Sequence, residues 1–451
     1  MNIIIVGCGK VGYALAEQLN EDGNNITVID KVEEKVNELS IRYDIMGVAG
    51  NGASHITQQQ AGIKDADLLI AVTGSDELNV LCCLIAKKAG NCHTIARIRN
   101  PDYSAEAAFL KEELGLSMVI NPEYAAAAEI ARVLQFPSAI KIDTFAKGKV
   151  ELMKFRLPEN SPLAGCSVKE MASRFHCDVL VCTIERGDDA YIANGDFVFE
   201  DKDILSVIAS PRNANEFFRK IKYKTNAVKD AMIVGGGGIA HYLCSILKTS
   251  GIELKIIEKD PKRCEELCTA WPEILIINGD AADKEILLEE GIERVGAFVA
   301  ITNLDEENIL LSLFARNTGT GKLVTKINRI DFDDVIHHLD LDTIIYPKNI
   351  TADMIVRYVR ATKNTIGSNV ETMYNIIKGK IQASEFIVKQ NSPVSGVALS
   401  DMKFKNNVLV AAILRNKKVI IPRGSDIIKP GDAVVIVSDL LSIKDISEVL
   451  R

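Results

Sequence analysis

The stretch IIIVGCGKVGYALA, residues 3–16, indicates the fold with which the chain begins. Its first apolar residues predict a strand, and Gly7, Gly9 and Gly12 follow the G-x-G-x-x-G spacing of a dinucleotide-binding turn. In such a turn the first glycine permits a tight bend, the second lets a pyrophosphate approach the backbone, and the third lets the helix pack closely on the strand. The phosphates would lie at the helix N-terminus, where unpaired N–H groups favour negative charge.

The same turn occurs again in MIVGGGGIAHYLC, residues 232–244. Gly235, Gly237 and Ala240 occupy its three positions, and alanine is accepted at the third because it is also small. The offset between the first glycines of the two turns is 235 − 7 = 228. The chain therefore repeats a segment large enough to be a domain.

An acidic residue ends the next predicted strand of each copy, Asp30 in ITVIDK and Glu258 in LKIIEK, and 258 − 30 is again 228. A carboxylate there accepts hydrogen bonds from ribose hydroxyls and would repel a 2′-phosphate, which favours NAD(H) or an adenosine nucleotide over NADP(H). A strand before, a helix after and an acid about 20 residues on accompany both turns. We therefore predict nucleotide binding at both, rather than glycine turns that only pack.

The repeat continues along the chain, because LLIAVTGSDELN (68–79) matches AFVAITNLDEEN (297–308). Short alternating apolar runs follow each copy, from about 139 to 225 and from about 370 to 451. This pattern predicts an A–B–A′–B′ order with linkers near 137–140, 224–230 and 362–369. The predicted domains are 1–137, 138–228, 229–364 and 365–451.

Strands such as NIIIV and DLLIAV are apolar throughout, as expected when helices cover both faces of a parallel sheet. In the first copy the predicted strands are 2–6, 26–30, 45–49, 67–73, 94–98 and 117–120, and the predicted helices are 11–21, 32–42, 53–61, 75–90 and 102–114. The predicted fold class is α/β: two Rossmann-like doubly wound parallel sheets, each followed by a small α+β C-terminal lobe.

Polar residues after the other strands complete the two predicted nucleotide sites. Asn51 and Asp280 would face an adenine edge. Arg97 and Lys326 would reach phosphate or, alternatively, form a salt bridge to a neighbouring helix. The predicted site residues are Gly7, Cys8, Gly9, Lys10, Val11, Gly12, Asp30, Asn51, Thr73, Gly74 and Arg97 in the first copy, and Gly235, Gly236, Gly237, Gly238, Ile239, Glu258, Asp280, Thr302 and Lys326 in the second.

Asp76 and Asp305 occupy equivalent positions just after the fourth strand of each copy. They are candidates for the same crevice. The alternative is that they are first-turn acids favoured by the helix dipole.

Composition narrows the class of protein. The chain has 451 residues, 47% of them hydrophobic, and a net charge of −8, which argues against nonspecific nucleic-acid binding. No apolar run reaches the roughly 20 residues of a membrane span, and the first residues run directly into a strand rather than a secretory signal. Ten cysteines occur without a C-x-x-C pair, so we expect reduced thiols, no metal site and a cytoplasmic location.

The chain contains none of the common catalytic motifs, such as G-x-S-x-G or H-E-x-x-H. A duplicated enzyme would be expected to repeat its catalytic residues, yet the polar positions shared by the copies are those that grip a nucleotide. We therefore predict no catalytic residues and a binding module whose nucleotide occupancy rearranges paired lobes. The alternatives are a soluble NAD-dependent oxidoreductase with an unfamiliar substrate domain, and a scaffold with degenerate sites.

The first 31 residues, the stretches 70–79 and 95–103 and the A–B–A′–B′ layout resemble the TrkA family of cytosolic regulatory subunits of bacterial Trk potassium uptake systems. The resemblance covers essentially the whole chain and implies RCK (KTN) N-terminal and C-terminal domains. It implies NAD(H) binding, with ATP or ADP as competing ligands. It also implies gating of a separate TrkH-like potassium-translocating membrane subunit by a homo-oligomeric ring, expected to be a tetramer, at the inner face of the membrane.

The resemblance also concerns the stretch 123–136, with 348–362 as its counterpart. In this family such a helix exchanges between paired domains, whereas the alternative is an ordinary packed surface helix. The second copy departs from the first by its four consecutive glycines and by Lys326 and Asn328 in place of Arg97 and Arg99. The two sites are therefore expected to differ in affinity or ligand.

Overall fold

The computed structural model describes residues 1–101, 103, 106–136, 141–145, 150–187, 189–223, 228–328, 336, 339, 341–365, 370–377, 380–416, 418–440, 443 and 445–451. The predicted linkers fall largely outside these residues: 137–140 lies wholly outside, as do 224–227 and 366–369 of the other two.

The first copy contains a six-stranded parallel sheet in the order β3-β2-β1-β4-β5-β6. Its strands are β1 (Asn2–Val6), β2 (Asn25–Asp30), β3 (Met46–Ala49), β4 (Leu68–Ala71), β5 (His93–Arg97) and β6 (Met118–Ile120). Its described helices are α1 (Lys10–Glu21), α2 (Glu33–Tyr43), α3 (His55–Gln60), α4 (Asp76–Gly90), α5 (Ala107–Glu113) and α6 (Pro122–Gln135). This strand order is the doubly wound Rossmann order, and it confirms the predicted fold.

An antiparallel lobe follows the first Rossmann sheet. Its described elements are β7 (Lys141–Phe145), β8 (Val150–Arg156), α7 (Val168–Phe175), β9 (Leu180–Arg186), β10 (Asp189–Ile192), β11 (Ile204–Ala209) and α8 (Pro211–Lys220). The strands pair in the order β10-β9-β11-β8-β7. This is the small α+β lobe that the alternating runs predicted.

The second copy repeats the Rossmann sheet in the order β14-β13-β12-β15-β16-β17. Its strands are β12 (Asp230–Val234), β13 (Glu253–Glu258), β14 (Leu275–Asn278), β15 (Ala297–Ala300), β16 (Lys322–Lys326) and β17 (Thr343–Ile345). Its described helices are α9 (Gly238–Leu247), α10 (Pro261–Ala270), α11 (Lys284–Glu289), α12 (Asp305–Asn317) and α13 (Pro347–Thr365).

The second lobe is antiparallel in the order β18-β19-β22-β20-β21. Its strands are β18 (Val370–Ile377), β19 (Ile381–Ile387), β20 (Val408–Arg415), β21 (Lys418–Ile420) and β22 (Ala433–Ser438). A short 3₁₀ helix, Ile446–Val449, follows near its C-terminus.

The structure divides into two compact units that do not follow the chain order. One contains both Rossmann sheets, Met1–Gln135 with Ala227–Val356, and the other contains both lobes, Phe136–Asn226 with Arg357–Arg451. In the unit of lobes, buried side chains of the two sheets share one apolar cluster that includes Phe145, Leu152, Ala383, Ala411 and Val435. Each half therefore contributes to the core of its duplicate.

The two Rossmann copies are joined in the same way by α6. Its small residues Ala126, Ala127 and Ala131 are buried in one cluster with Ile239 and Leu243 of the second copy's α9. Asn121, just before the helix, donates from Nδ2 to the hydroxyl of Tyr242 at 2.8 Å. The helix from the first copy thus packs on the second, which agrees with the exchange expected for 123–136.

The lobes repeat one buried ion pair. Arg186 donates from Nε and Nη2 to the two carboxylate oxygens of Asp203, at 2.8 Å each. Arg415 and Asp432 form the same bidentate pair at 2.9 and 2.7 Å. Asp203 directly precedes β11 and Asp432 directly precedes β22, so this pair ties the same turn to the sheet in both lobes.

Candidate functional site

The register of each Rossmann sheet brings the predicted residues to one edge. Val6 pairs with Ile29 and with Ala71, so the residues after these strands, among them Gly7, Asp30 and Thr73, meet at the carboxyl edge. In the second copy Val234 pairs with Ile257 and Ala300 in the same way. This edge is where ligands bind in open α/β sheets.

The first glycine of each turn is required by both its conformation and its surroundings. Gly7 has φ +107° and Gly235 has φ +102°, a region that side chains with a Cβ rarely adopt. A Cβ on either would lie only 3.0 Å from the backbone nitrogen of Thr73 or Thr302. The turn therefore passes directly against the strand that ends at the threonine.

The second glycine of each turn faces open space. Gly9 and Gly237 are the N-caps of α1 and α9 with extended backbone, and neither helix start has a side-chain cap. A Cβ placed on either glycine would meet no described atom within 4 Å. The N–H groups at the start of α1 are thus open to an anion, as a phosphate cradle requires, whereas Gly238 at the start of α9 has the carboxylate of Glu123 against it.

The two acids are oriented by the turns they face. Asp30 accepts from the N–H of Cys8 at 2.7 Å through Oδ2 and from the N–H of Val32 at 3.0 Å through Oδ1. Glu258 accepts from Gly236 at 2.6 Å and from Asp260 at 2.9 Å. A carboxylate oxygen has two acceptor positions, so each acid can still accept a hydrogen bond from a sugar hydroxyl.

Two buried asparagines position the threonines, and sequence reasoning left them out of the site set. Asn79 accepts at Oδ1 from the N–H of Thr73 (2.8 Å) and from its hydroxyl (2.7 Å), and donates from Nδ2 to the carbonyl of Arg97 at 2.8 Å. Asn308 makes the equivalent bonds to Thr302 and Lys326. The sequence did offer a signal for these residues, because both asparagines end the matching stretches 68–79 and 297–308.

The cations at the ends of β5 and β16, half-buried Arg97 and buried Lys326, bond to backbone carbonyls rather than to acids. Arg97 donates from Nη2 to the carbonyl of Thr73, and burial and the neighbouring Arg99 lower the pKa of Arg97 to about 10. Lys326, only 4% exposed, donates to the carbonyl of Ile301 at 3.1 Å. Burial lowers the pKa of Lys326 to about 8. Within the described residues neither side chain forms the alternative salt bridge to a helix.

Asp76 and Asp305 are anchors of the loops beside the cleft. Asp76 accepts through Oδ2 from the N–H groups of Arg99 and Asn100, both at 2.8 Å. Asp305 accepts from the N–H of Asn328 through both oxygens at 3.0 Å. Both acids lie in the first turn of their helix, which agrees with the alternative interpretation of them as first-turn acids.

The two predicted sites open into a single cleft of about 1030 Å³ inside the Rossmann unit. Pockets for one drug-sized ligand are about 300–1,000 Å³, so this cleft lies at the upper end of that range. The predicted residues that line it are Gly7, Gly9, Lys10, Val11, Asp30, Thr73, Gly74, Arg97, Gly235, Gly237, Gly238, Ile239, Glu258, Asp280, Thr302 and Lys326.

The other predicted residues support the cleft from behind or lie beside it. Cys8 is buried, and its contribution is the N–H that orients Asp30. A Cβ on Gly12 would lie 1.8 Å from the carbonyl oxygen of Gly7, so this glycine sets the approach of α1. Gly236 orients Glu258. Asn51 is exposed, and its Oδ1 accepts from the N–H of Ala53 at 3.2 Å.

The cleft also contains charged residues that sequence reasoning did not assign to it. They lie between strands and the helices that follow them, in those helices, or in the first turns of α6 and α13, where no motif marks them. They are Lys31, Lys35, Arg99, Glu123, Lys259, Asp260, Arg263, Glu307 and Lys348. Among the described residues no group of three or more His, Cys, Asp or Glu could hold a metal ion.

A duplicated Rossmann fold with paired glycine cradles in one cleft, each copy with an antiparallel lobe, defines a tandem RCK-type regulatory protein. The chain belongs to the TrkA family. The family profile of the TrkA-N domain matches residues 3–122 and 231–347, and that of the TrkA-C domain matches 152–222 and 383–450. Family membership makes it a regulatory protein of potassium uptake rather than an enzyme, as the sequence predicted, and removes the oxidoreductase alternative.

Full-length relatives support this assignment. The Trk system potassium uptake protein TrkA homolog 1 of Methanosarcina mazei is 32% identical over 450 residues, covering 97% of each chain. The Trk system potassium uptake protein TrkA of Halomonas elongata is 31% identical over 458 residues, covering 100% of this chain and 99% of its own.

Two solved structures share the fold. The GsuK channel bound to NAD has a TM-score of 0.64 at 16% identity and covers 97% of this chain and 76% of its own. The GsuK RCK domain has a TM-score of 0.63 at 16% identity, and the match covers 97% of this chain and 92% of the GsuK chain. In the described part of the present chain, no helix combines the length and apolarity needed to cross a bilayer.

Proposed function

We propose that this chain is a nucleotide-sensing subunit that binds NAD(H), ATP or ADP in its Rossmann cleft and thereby gates a separate, TrkH-like potassium-translocating membrane subunit. The observation that carries the proposal is the repeated cradle. In each copy a helix start without a side-chain cap follows the glycine turn, and a carboxylate for the sugar hydroxyls lies beside it. The similarly folded GsuK channel binds NAD, which supports the choice of ligand.

The proposed site consists of the residues predicted from the sequence. The sixteen of them that line the cleft, listed above, would contact the ligand. The proposed domains run 1–137, 138–228, 229–364 and 365–451. The subunit would assemble as a homo-oligomeric ring, expected to be a tetramer, in the cytoplasm at the inner face of the membrane through its partner.

Energetics favour a ring over a single chain. Shifting a gate from 1:99 to 99:1 requires about 5.5 kcal/mol of differential binding, whereas one allosteric site typically supplies about 1–3 kcal/mol. Several sites acting on one gate reach the required total, and each chain brings two cradles to the ring.

The test compares two carboxylates of the first sheet that each accept one backbone N–H of the β1 region at 2.7 Å. Asp30, at the carboxyl edge, accepts from Cys8, and Asp67, just before β4 at the opposite edge, accepts from Asn2. Asp30→Asn should weaken NADH and ADP binding by at least about tenfold in calorimetry, because a carboxylate acceptor for the sugar is lost. Asp67→Asn should bind as the parent does.

The same variants are then measured with the membrane partner in vesicles. Nucleotide-dependent potassium flux should be blunted for Asp30→Asn and unchanged for Asp67→Asn. Equal nucleotide affinity of the two variants would overturn the proposal. So would a potassium flux of the parent protein that does not change when nucleotide is added.

A further inference from the structure

The second glycine turn is occupied by a side chain from the first copy. Glu123, in the first turn of α6, reaches across to Gly238, the first residue of α9. A Cβ placed on Gly238 would lie 2.0 Å from Glu123 Oε2 and 2.7 Å from Glu123 Cδ. Glycine is therefore needed at position 238 because the carboxylate lies directly against it, at the helix start where a phosphate would bind.

This carboxylate has charge around it but no direct partner. It is half-buried, and within the described residues it makes neither a hydrogen bond nor an ion pair. Burial raises the pKa of Glu123, and Asp76 adds to this effect, while Arg99, Lys326 and Arg97 oppose it. An acid without a partner at a helix start makes that cradle less positive than its backbone alone would be.

The repeat has lysines at the two positions of the first copy and α13 that correspond to Gly238 and Glu123. Gly238 corresponds to Lys10, since 238 − 10 = 228, so the first turn carries a lysine where the second carries no side chain. Glu123 follows Pro122 as Lys348 follows Pro347, the pair of prolines that the repeat aligns. Lys10, Glu123 and Lys348 all line the cleft. At these two corresponding positions the repeat therefore offers lysines in place of the bare glycine and carboxylate that meet at the second turn.

We propose that Glu123 is a specificity-determining residue of the second site, where its carboxylate takes the place of a ligand phosphate and makes that site weaker for diphosphate nucleotides than the first. The proposal rests on the proposed function and deepens it. A diphosphate that enters the second cradle must displace Glu123 or bear its repulsion, and close like charges in a binding site are strongly unfavourable. The first copy thus controls occupancy of the second through α6.

The experiment reads each site alone in the full-length protein. An Asp30→Asn background weakens the first site and leaves the second to be measured, and a Glu258→Gln background does the reverse. ADP and NADH are titrated by calorimetry in both. Trp271, the single tryptophan, provides a second readout for the second site. Its Nε1 donates to His241 of α9 at 3.3 Å, and excited tryptophan transfers energy to bound NADH, which quenches the tryptophan fluorescence.

In the Asp30→Asn background we expect Glu123→Gln to raise second-site affinity for ADP and NADH at least about tenfold, because a like charge is removed. Glu129→Gln is the matched control on the same helix: its carboxylate pairs with Arg132 at 2.6 Å, and it should leave binding unchanged. In the Glu258→Gln background, Lys348→Glu should weaken the first site by a similar factor.

The outcomes separate this inference from the proposed function. Equal affinity of the two backgrounds, with no gain from Glu123→Gln, would overturn the role of Glu123 while nucleotide binding stands. A gain from Glu129→Gln as large as that from Glu123→Gln would also overturn it. Failure of the parent protein to bind nucleotide at all would instead overturn the proposed function. Lys348→Glu gives a test that stands even if Glu123→Gln folds poorly.

Discussion

Lys326 is a buried cation whose removal should stabilise the fold. The residue is 4% exposed, its ammonium donates to the carbonyl of Ile301, and it is charged at pH 7 because burial lowers its pKa only to about 8. Asp305 and Glu123 favour the charged form, but Lys10 across the cleft opposes it. We predict that Lys326→Met raises the free energy of unfolding of the second Rossmann copy at pH 7.

The magnitude follows from the pKa. A decrease from 10.5 to about 8 corresponds to about 3 kcal/mol of charged-state destabilisation in the fold. The variant loses one hydrogen bond, worth about 1 kcal/mol, so a net gain of about 2 kcal/mol remains. In the parent protein the folded lysine deprotonates near pH 8 while the unfolded lysine keeps its proton. The penalty is therefore complete below pH 8 and relieved as pH rises toward 10.5, and the advantage of the variant shrinks over that window.

Urea unfolding followed by Trp271 fluorescence, at pH 7 and pH 9.5, measures this difference for the Rossmann unit that contains Trp271. The control is Lys255→Met, because Lys255 donates to the carboxylate of Glu290 at 2.7 Å and its removal should destabilise. A Lys326→Met protein that is less stable than the parent at pH 7 would refute the reasoning. So would a stability difference that does not change between the two pH values.

Three further outcomes are expected. Gly12→Val should abolish NADH binding at the first site in calorimetry, because its Cβ would lie 1.8 Å from the Gly7 carbonyl oxygen and displace the turn. Arg186→Met should destabilise the first lobe by about 2–3 kcal/mol in urea unfolding, since Asp203, 1% exposed, loses its ion-pair partner and keeps the N–H of Glu200. Asn308→Leu, which removes several buried hydrogen bonds, should lower the unfolding midpoint and weaken second-site binding.

The Rossmann folds could be predicted from sequence because glycine and acid positions report backbone requirements. Gly7 and Gly235 have positive φ and lie against a strand, so a residue with a Cβ would be strained at either position. Their offset of 228 residues can be read directly from the sequence. Element bounds differ by a few residues. The predicted strand 67–73 is Leu68–Ala71, since Thr73 leaves the sheet to bond with Asn79.

The composition of the cleft was less predictable. Glu123 and Lys348 reach it only because α6 and α13 place their first turns there, and no local pattern reports which module a helix will contact. The grouping of the modules was hidden for the same reason. Both Rossmann copies share one unit and both lobes the other, because apolar surfaces pair by shape and burial rather than by order along the chain.

The exchange of α6 makes the duplicated halves mutually dependent. A polypeptide ending before the second Rossmann copy would present its alanine-rich stripe, Ala126 to Ala131, to water, while α9 in the complementary fragment would lose its cover. Each fragment is then expected to associate with a second copy of itself, which would cover the exposed apolar surface. Ancestral single-copy versions of this architecture would on these grounds be obligate homodimers, and gene fusion would convert an encounter between chains into a permanent intramolecular contact.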